Sequence, residues 1–570
     1  MNRELVFWRA RVALVLYVFM RIGLLQLNPV VGDITGNTSR MIAAITAIDA
    51  DIIVTPEMAI CGYPPRDLLN CTGFIRACEE AVLRVAQACN TQTVIISHPR
   101  IDSVSGRIRN SASVIQNGTC IAVCDKQLLP SYDVFDEKRY FEAGESSCIF
   151  TYGNTTIGVA ICEDFWRGFD ANAAPTYDFN PLKELLSGGC DIIISPNASP
   201  FVTRKRETHV HYALDFAKEH DVIIAVCNQV GGHDDLVFDG GSFVVSANGM
   251  LGELPLFDTG SISIDTEGAP RETTFLGEDE ERFKALVLGT KDYFAKTGHS
   301  NAILGISGGI DSSLVATIAV AALGNDAVTG VLMPSRYSSL GSIEDAEQLA
   351  TGLGITTSTL PIEHMHAAFE RTLDETCLEA TGLASENAQA RIRGLLLMAL
   401  ANEQGALVLA TGNKSELAVG YSTLYGDMDG AISVIGDIYK TDVYALSEWI
   451  NKNFALLGFA SPPIPESSIV KPPSAELRPN QLDQDTLPQY EELDSVLRLH
   501  IDLDLGIDEI EDGLDVSIEQ IASIVQMVDV SQFKRDQAAV ILKTSPRTFG
   551  RGRRMPIVMK RAWSSTRETT

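Results

Sequence analysis

The sequence predicts a two-part α/β protein: an αβ-layered unit to about residue 270, then a doubly wound parallel sheet from about residue 283. Three observations predict it. Short β-rich apolar runs alternate with helical stretches through the first half. Residues 258–282 are polar, acidic and contain Gly and Pro, as a linker would be, with 271–282 as its core. After them NAILGISGGIDSSLVATIAVAALG (301–324) reads as strand, loop and helix, followed at once by a second strand, DAVTGVLMPS (326–335).

In chain order, RIGLLQLNPVVGD (21–33) is the first core strand. DIIVTPE (51–57), TVIISHP (93–99), TIGVAICED (156–164), CDIIISPN (190–197) and DVIIAVCNQ (221–229) follow, each closed by a polar or Gly/Pro cluster. GSFVVSANGMLGELPL (241–256) is a hairpin turning at Asn248-Gly249. A helical pattern starts at about 283, ENAQARIRGLLLMALAN (386–402) is an amphipathic helix, and ALVLATG (406–412) is a strand that breaks at Thr411.

Composition bounds the function. With 570 residues, 45% hydrophobic and 21% charged, the chain can bury several cores. Its net charge of −29 excludes a general nucleic-acid binder, which needs a basic surface. Eleven cysteines without zinc-ligand spacing read as small buried hydrophobes of a reduced, cytoplasmic protein. The apolar run VALVLYVFM (12–20) is too short to cross a bilayer, so no membrane association is expected. Residues 1–20 are read as an overlong start or disordered extension with Met20 as an initiator, the alternative being a targeting segment.

The chemistry concentrates at strand ends. Glu57, Lys126 and Cys162 together fit thiol amide hydrolysis: Cys162 as nucleophile, Glu57 as general base, Lys126 as the cation for the oxyanion. Glu137 is a second, supporting carboxylate, and no Cys/His pair competes. In GISGGIDSS (305–313), Gly305, Gly308 and Gly309 let the backbone turn and approach a ligand, while Ser312, Ser313 and a helix start offer donors to an anion. No G-K-[ST] follows, which excludes a P-loop NTPase. Asp311 would repel bare phosphate and makes sense with a divalent cation between them. Thr411 is placed to touch nucleotide, and Glu416 either shares that metal or is a dipole-stabilised helix-start acid. Nine Lys/Arg against the single acid Asp536 mark residues 534–561 as either a solvated basic tail or a polyphosphate pocket.

GISGGIDSS resembles the pyrophosphate loop of the N-type ATP pyrophosphatases. The Glu-Lys-Cys segments resemble the nitrilase-type amidases, whose fold is an αββα sandwich. Their fusion resembles the glutamine-dependent NAD⁺ synthetase family over roughly 21–561, carried also by TPEMAICGYPPRDLL, ICEDFW, SPNASPF, TGNKSE and FKRDQAA…FGRGRRMPI. One departure is KRDQAAVILK after Phe533, where the family is more basic and carries prolines. The resemblance implies a glutaminase domain at 21–270 and an ATP pyrophosphatase-type synthetase domain at 283–570. It implies a ligase that amidates deamido-NAD⁺ through an acyl-adenylate, with ammonia from glutamine, as the last step of NAD⁺ synthesis.

By the same resemblance Tyr132, Ser199 and Lys205 bind glutamine. Gly305, Ile306, Ser307, Gly308, Gly309, Ile310, Asp311, Ser312 and Thr411 bind ATP. Asn387, Glu416 and Lys534 contact deamido-NAD⁺, which leaves Glu416 between substrate and metal. Mg²⁺ is the expected cofactor, ATP, glutamine and deamido-NAD⁺ the expected partners, and a homo-oligomer the expected assembly. The alternatives are another glutamine-dependent adenylating amide ligase, whose glutaminase would carry a different triad, and a scaffold that has lost its chemistry.

Overall fold

The computed structural model describes residues 20–89, 91–167, 177–376 and 381–560. The predictions for residues 1–19, for Cys377 and for Arg561 lie outside them.

Two six-stranded sheets stack face to face in the first half. One has the order Gly260–Asp265, Arg21–Gln26, Ile52–Val54, Thr93–Ile101, Ile108–Gln116, Thr119–Asp125. The other has the order Gly249–Glu253, Phe243–Ser246, Ile223–Asn228, Ile192–Asn197, Thr155–Val159, Cys148–Tyr152. β-Branched side chains fill the space between them: Ile22, Ile52, Val54 and Ile95 from one sheet, Ile157, Ile192, Ile194 and Val244 from the other. Helices Ile34–Ala47 and Thr72–Ala88 cover the first sheet's outer face through Met41, Ile45, Cys78 and Val85. Helix Lys205–His220 presents Val210, Ala213 and Ala217 to the second. The layers therefore run αββα, as expected.

In the second half six strands are all parallel, in the order Thr356–Thr359, Val328–Leu332, Ala302–Gly305, Leu407–Ala410, Ile432–Ser433, Val540–Ile541. Numbered along the chain this is 3-2-1-4-5-6, so the strand order reverses between Ala302–Gly305 and Leu407–Ala410. A ligand crevice belongs at the carboxyl ends of that pair. Helix Glu278–Thr297 joins the halves: Asp292 accepts from Asn28 Nδ2 (2.7 Å) and Gly232 N (2.8 Å), and Lys296 Nζ donates to Asn28 Oδ1 (2.6 Å) and Gly232 O (2.8 Å). Among the described residues no helix is long and apolar enough to cross a membrane.

Three expectations change. Within the polar stretch 258–282, Gly260–Asp265 pairs antiparallel with Arg21–Gln26, and the following helix begins at Glu278 rather than about 283. That strand is an edge strand with one face in solvent, which is why it reads as polar. The cysteines are not all free: Cys124 and Cys148 form a disulfide between neighbouring edge strands. The hairpin does turn at Asn248, and Gly249 is already the first residue of the returning strand.

Candidate active sites

Glu57, Lys126, Glu137 and Cys162 meet in the first half. Strand Ile52–Val54 runs into Glu57, strand Thr119–Asp125 into Lys126, and strand Thr155–Val159 into the turn that carries Cys162. Lys126 is 1% exposed, and its Nζ donates to Glu57 Oε1 (2.7 Å) and Glu137 Oε1 (2.8 Å). Asn110 Nδ2 also donates to Glu57 Oε1 (2.7 Å), and Tyr63 OH to Glu137 Oε1 (2.9 Å). The other oxygens, Glu57 Oε2 and Glu137 Oε2, are buried without a hydrogen-bond partner among the described residues. One ammonium thus holds two carboxylates, each with an acceptor to spare.

Burial lowers the lysine's proton affinity, but the charges of Glu137 and Glu57 outweigh it and keep Lys126 cationic, with its pKa well above the ordinary value. Burial pushes Glu137 up to about 7 against the pull of Lys126, with Glu57 pushing further. Burial, then the charge of Glu57, raise the Cys162 thiol well above its ordinary pKa, while Lys126 pulls it back. The resting sulfur is therefore a thiol that needs a base. Cys162 has φ +47° and ψ −102°, outside the populated regions for an L-residue, just before helix Glu163–Trp166. Its N–H is bonded to Pro196 O (2.9 Å).

The three residues expected to hold glutamine divide between two sides of this centre. Tyr132 OH donates to Glu163 Oε2 (2.8 Å), on the residue after Cys162. Ser199 and Lys205 line a small cavity with Trp166, Asn197 and His209, and Lys205 Nζ donates to Pro200 O (2.7 Å).

The second centre lies at the strand-order reversal. A cavity of about 230 Å³ is lined by Ser307, Gly309, Ile310, Asp311, Ser312, Thr411 and Glu416. A neighbouring one of about 270 Å³ shares Ser307 and Thr411 and adds Gly305, Ile306 and the apolar Val331, Leu332, Leu397 and Leu409. Gly308 lines neither. It has φ +75°, and a Cβ there would stand 2.1 Å from Ser342 O, so only glycine fits this approach.

Asp311 and Glu416 are brought together by a residue that sequence reasoning missed. Lys440 Nζ lies 2.5 Å from Asp311 Oδ2 and 3.6 Å from Glu416 Oε1. Asn413 Nδ2 donates to Asp311 Oδ1 (2.9 Å), and Asn413 and Glu416 form a capping box. Burial and then Asp311 push Glu416 up to about 8, with Lys440 opposing. A cation at the first turn of helix Lys440–Lys452 opposes the helix dipole, and that local oddity was its available signal.

Among the described residues no group of three or more His, Cys, Asp and Glu side chains is placed to hold a metal ion. Mg²⁺ needs fewer: it keeps waters and takes phosphate oxygens beside one or two carboxylates. Asp311 and Glu416, two hard oxygen donors on the wall of the first cavity, fit that requirement.

Asn387 and Lys534 line neither cavity. Asn387 accepts from Thr423 Oγ1 (2.9 Å), and Lys534 Nζ donates to Gly420 O and Ser422 O (both 2.7 Å), so both grip the 420–423 turn beside the cavity. The basic tail, over its described residues, is neither a solvated arm nor one phosphate pocket. Lys543 pairs with Asp133 (3.1 Å), Arg547 with Asp504, Arg551 with Asp235 (3.3 Å), and Arg535 is buried against carbonyls of 417, 418 and 528.

Comparison with known proteins gives two family matches: carbon-nitrogen hydrolase over residues 21–262 and NAD synthase over 282–538. A glutamine-dependent NAD(+) synthetase from Synechocystis sp. is 44% identical over 94% of this chain and 98% of its own. One from Thermotoga maritima is 40% identical at the same coverages. The structure of a glutamine-dependent NAD+ synthetase from Acinetobacter baumannii in complex with adenosine diphosphate superposes with a TM-score of 0.74. It is 34% identical and covers 95% of this chain and 98% of that one.

Proposed function

The chain belongs to the glutamine-dependent NAD(+) synthetase family, and from that membership we propose that it amidates deamido-NAD⁺ to NAD⁺ with ATP and glutamine. The observation that carries the reading is the pair of buried lysine–dicarboxylate clusters, Lys126 with Glu57 and Glu137 beside Cys162, and Lys440 with Asp311 and Glu416 at the strand-order reversal. The first suits a hydrolase of carbon–nitrogen bonds, the second a site that gathers negative charge. The glutaminase unit is 21–270 and the synthetase unit opens with the helix at Glu278, the two being joined through 271–277.

In the first unit Glu57 takes the Cys162 proton as sulfur attacks the side-chain amide carbon of glutamine. Lys126 stabilises the oxyanion. The carbon–nitrogen bond breaks, the proton on Glu57 leaves with the amine as ammonia, and a thioester remains. Water, deprotonated by Glu57, then cleaves the thioester, releasing glutamate and restoring the thiol. Tyr132, Ser199 and Lys205 hold the amino-acid end of glutamine.

In the second unit the nicotinate carboxylate attacks the α-phosphorus of ATP, and pyrophosphate leaves. Ammonia attacks the resulting acyl-adenylate and AMP leaves, giving the amide. The loop 305–312 and Thr411 hold ATP, Gly308 by letting the loop pass against Ser342 and the others by lining the cavities, with the base against Val331, Leu332 and Leu397. Asn387, Glu416 and Lys534 hold deamido-NAD⁺ around the 420–423 turn. Asp311 and Glu416 would hold Mg²⁺, which neutralises polyphosphate charge when bound. Ammonia made inside the protein escapes protonation in bulk water.

The test is to supply deamido-NAD⁺, ATP, Mg²⁺ and glutamine to the full chain. NAD⁺, AMP, pyrophosphate and glutamate should appear in equal amounts. NAD⁺ absent with both glutamine and ammonium, or formed without AMP, would overturn the proposal.

A further inference from the structure

The nucleophile and the catalytic lysine hang from different sheets. The Lys126 backbone is fastened to the first sheet, its N–H on Asn110 O (2.8 Å). The Cys162 backbone is fastened to the second, its N–H on Pro196 O (2.9 Å). The Cys124–Cys148 disulfide ties the two sheets at their edge strands and side chains pack the rest of the space between them, but an oxyanion contact tolerates little error in how the two strand ends beyond that tie are set.

Asp164 spans that gap. Its carboxylate is buried and takes three backbone N–H groups: Gln127 N (3.0 Å) and Leu128 N (2.7 Å) on Oδ1, and Ile161 N (3.2 Å) on Oδ2. Gln127 and Leu128 directly follow the lysine, and Ile161 directly precedes the cysteine. One oxygen holds each side. A neutral amide could not do this, because it presents one acceptor and one donor.

Resting on the proposed glutaminase chemistry, we propose that Asp164 is a positioning residue: a carboxylate clasp that fixes the Lys126 strand end against the Cys162 turn and so sets the lysine-to-oxyanion distance. It touches neither substrate nor the reacting atoms. In Asp164→Asn, Oδ1 keeps the Gln127 and Leu128 contacts, while Nδ2 faces the Ile161 N–H, donor against donor. The turn carrying Cys162 is released and the lysine is not.

The experiment uses the full chain. Asp164→Asn should lower kcat for glutamine hydrolysis about ten- to a hundredfold, with the glutamine KM within about twofold. Alkylation of Cys162 by iodoacetamide should change its rate and pH profile, and NAD⁺ synthesis from ammonium should be unchanged. Asp164→Glu, which keeps both acceptors on a longer arm, should recover part of kcat. A merely structural role would not split kcat from KM or move the alkylation profile. Wild-type kcat and alkylation in Asp164→Asn would overturn the clasp, as would loss of glutamine- and ammonium-dependent synthesis in equal measure. Should neither variant fold, hydrogen exchange on the wild-type chain decides. Slow exchange at Gln127, Leu128 and Ile161 supports the clasp, and exchange at open-loop rates overturns it. Alkylation and exchange need no glutamine turnover, so failure of the glutaminase reading itself shows separately.

Discussion

At Cys162 the backbone is strained. A non-glycine residue at φ +47° and ψ −102° costs about 1–3 kcal/mol, and the surrounding bonds to Pro196 and Asp164 hold it there. The turn sets Cys162 close enough to Glu57 and Lys126 for their charges to act on its thiol. Cys162→Ala should abolish glutamine-dependent NAD⁺ synthesis and keep ammonium-dependent synthesis, read as initial rates on the two nitrogen sources. Loss of both would mean that the two chemistries are not separable. Asp311→Asn should slow pyrophosphate release from ATP and leave glutamine hydrolysis measurable. An unchanged rate with unchanged Mg²⁺ dependence would count against its role. Glu57, Lys126, Cys162 and Asp311 were legible because each ends a strand or sits in a glycine loop. Lys440 was not, because its partner Asp311 lies 129 residues away and no local pattern joins them.

Among the elements, strands with uniform apolar runs were legible, and the strand Ile108–Gln116 was not. Its sequence IRNSASVIQ breaks the apolar alternation because Asn110, Ser111 and Ser113 are buried polar residues. Asn110 serves Glu57, and Ser111 takes part in the Asp125 and Ser97 hydrogen bonds. Helix Gln532–Arg535 and strand Val540–Ile541 were likewise hidden in a run that reads only as basic. The structure explains much of the excess charge by acid partners at Lys543, Arg547 and Arg551 and carbonyl partners at Lys534 and Arg535. Lys534 keeps a distinct place, with its ammonium on two carbonyls of the turn that edges the second cavity. Lys534→Ala should raise the deamido-NAD⁺ KM about tenfold or more and leave the glutamine KM unchanged. Paired steady-state titrations check this, and equal shifts in both would leave Lys534 a plain structural tie.

For the molecule as a whole, a net charge of −29 is carried partly by buried acids. Glu281, 4% exposed, accepts from Arg204 N (2.8 Å), and burial pushes it up to about 7. An acid whose folded pKa exceeds its unfolded one binds more protons when folded. Its contribution is complete below about pH 4.5 and is lost as pH rises through 7. Glu281→Gln keeps an oxygen acceptor and removes the titration, so it should stabilise the fold at pH 8 by about 2 kcal/mol relative to wild type and do little at pH 5. Urea unfolding at the two pH values reads it, and a pH-independent difference would reject it. The two-part architecture was legible from its strand pattern; the ties between the parts were not, since they join residues from 60 positions apart, as Gly232 and Asp292, to hundreds, as Asn28 and Asp292 at 264, with no local pattern linking them. One of them, Lys543 with Asp133, has a consequence for synthesis on the ribosome. The strands around Cys162 are made hundreds of residues before Lys543, which pairs with Asp133 in the loop beside Tyr132. On a nascent chain that loop has its bond from Tyr132 to Glu163 but gains Lys543 only after Val540–Ile541, an edge strand of the parallel sheet, has been made, so the last fastening of the first unit waits on the second.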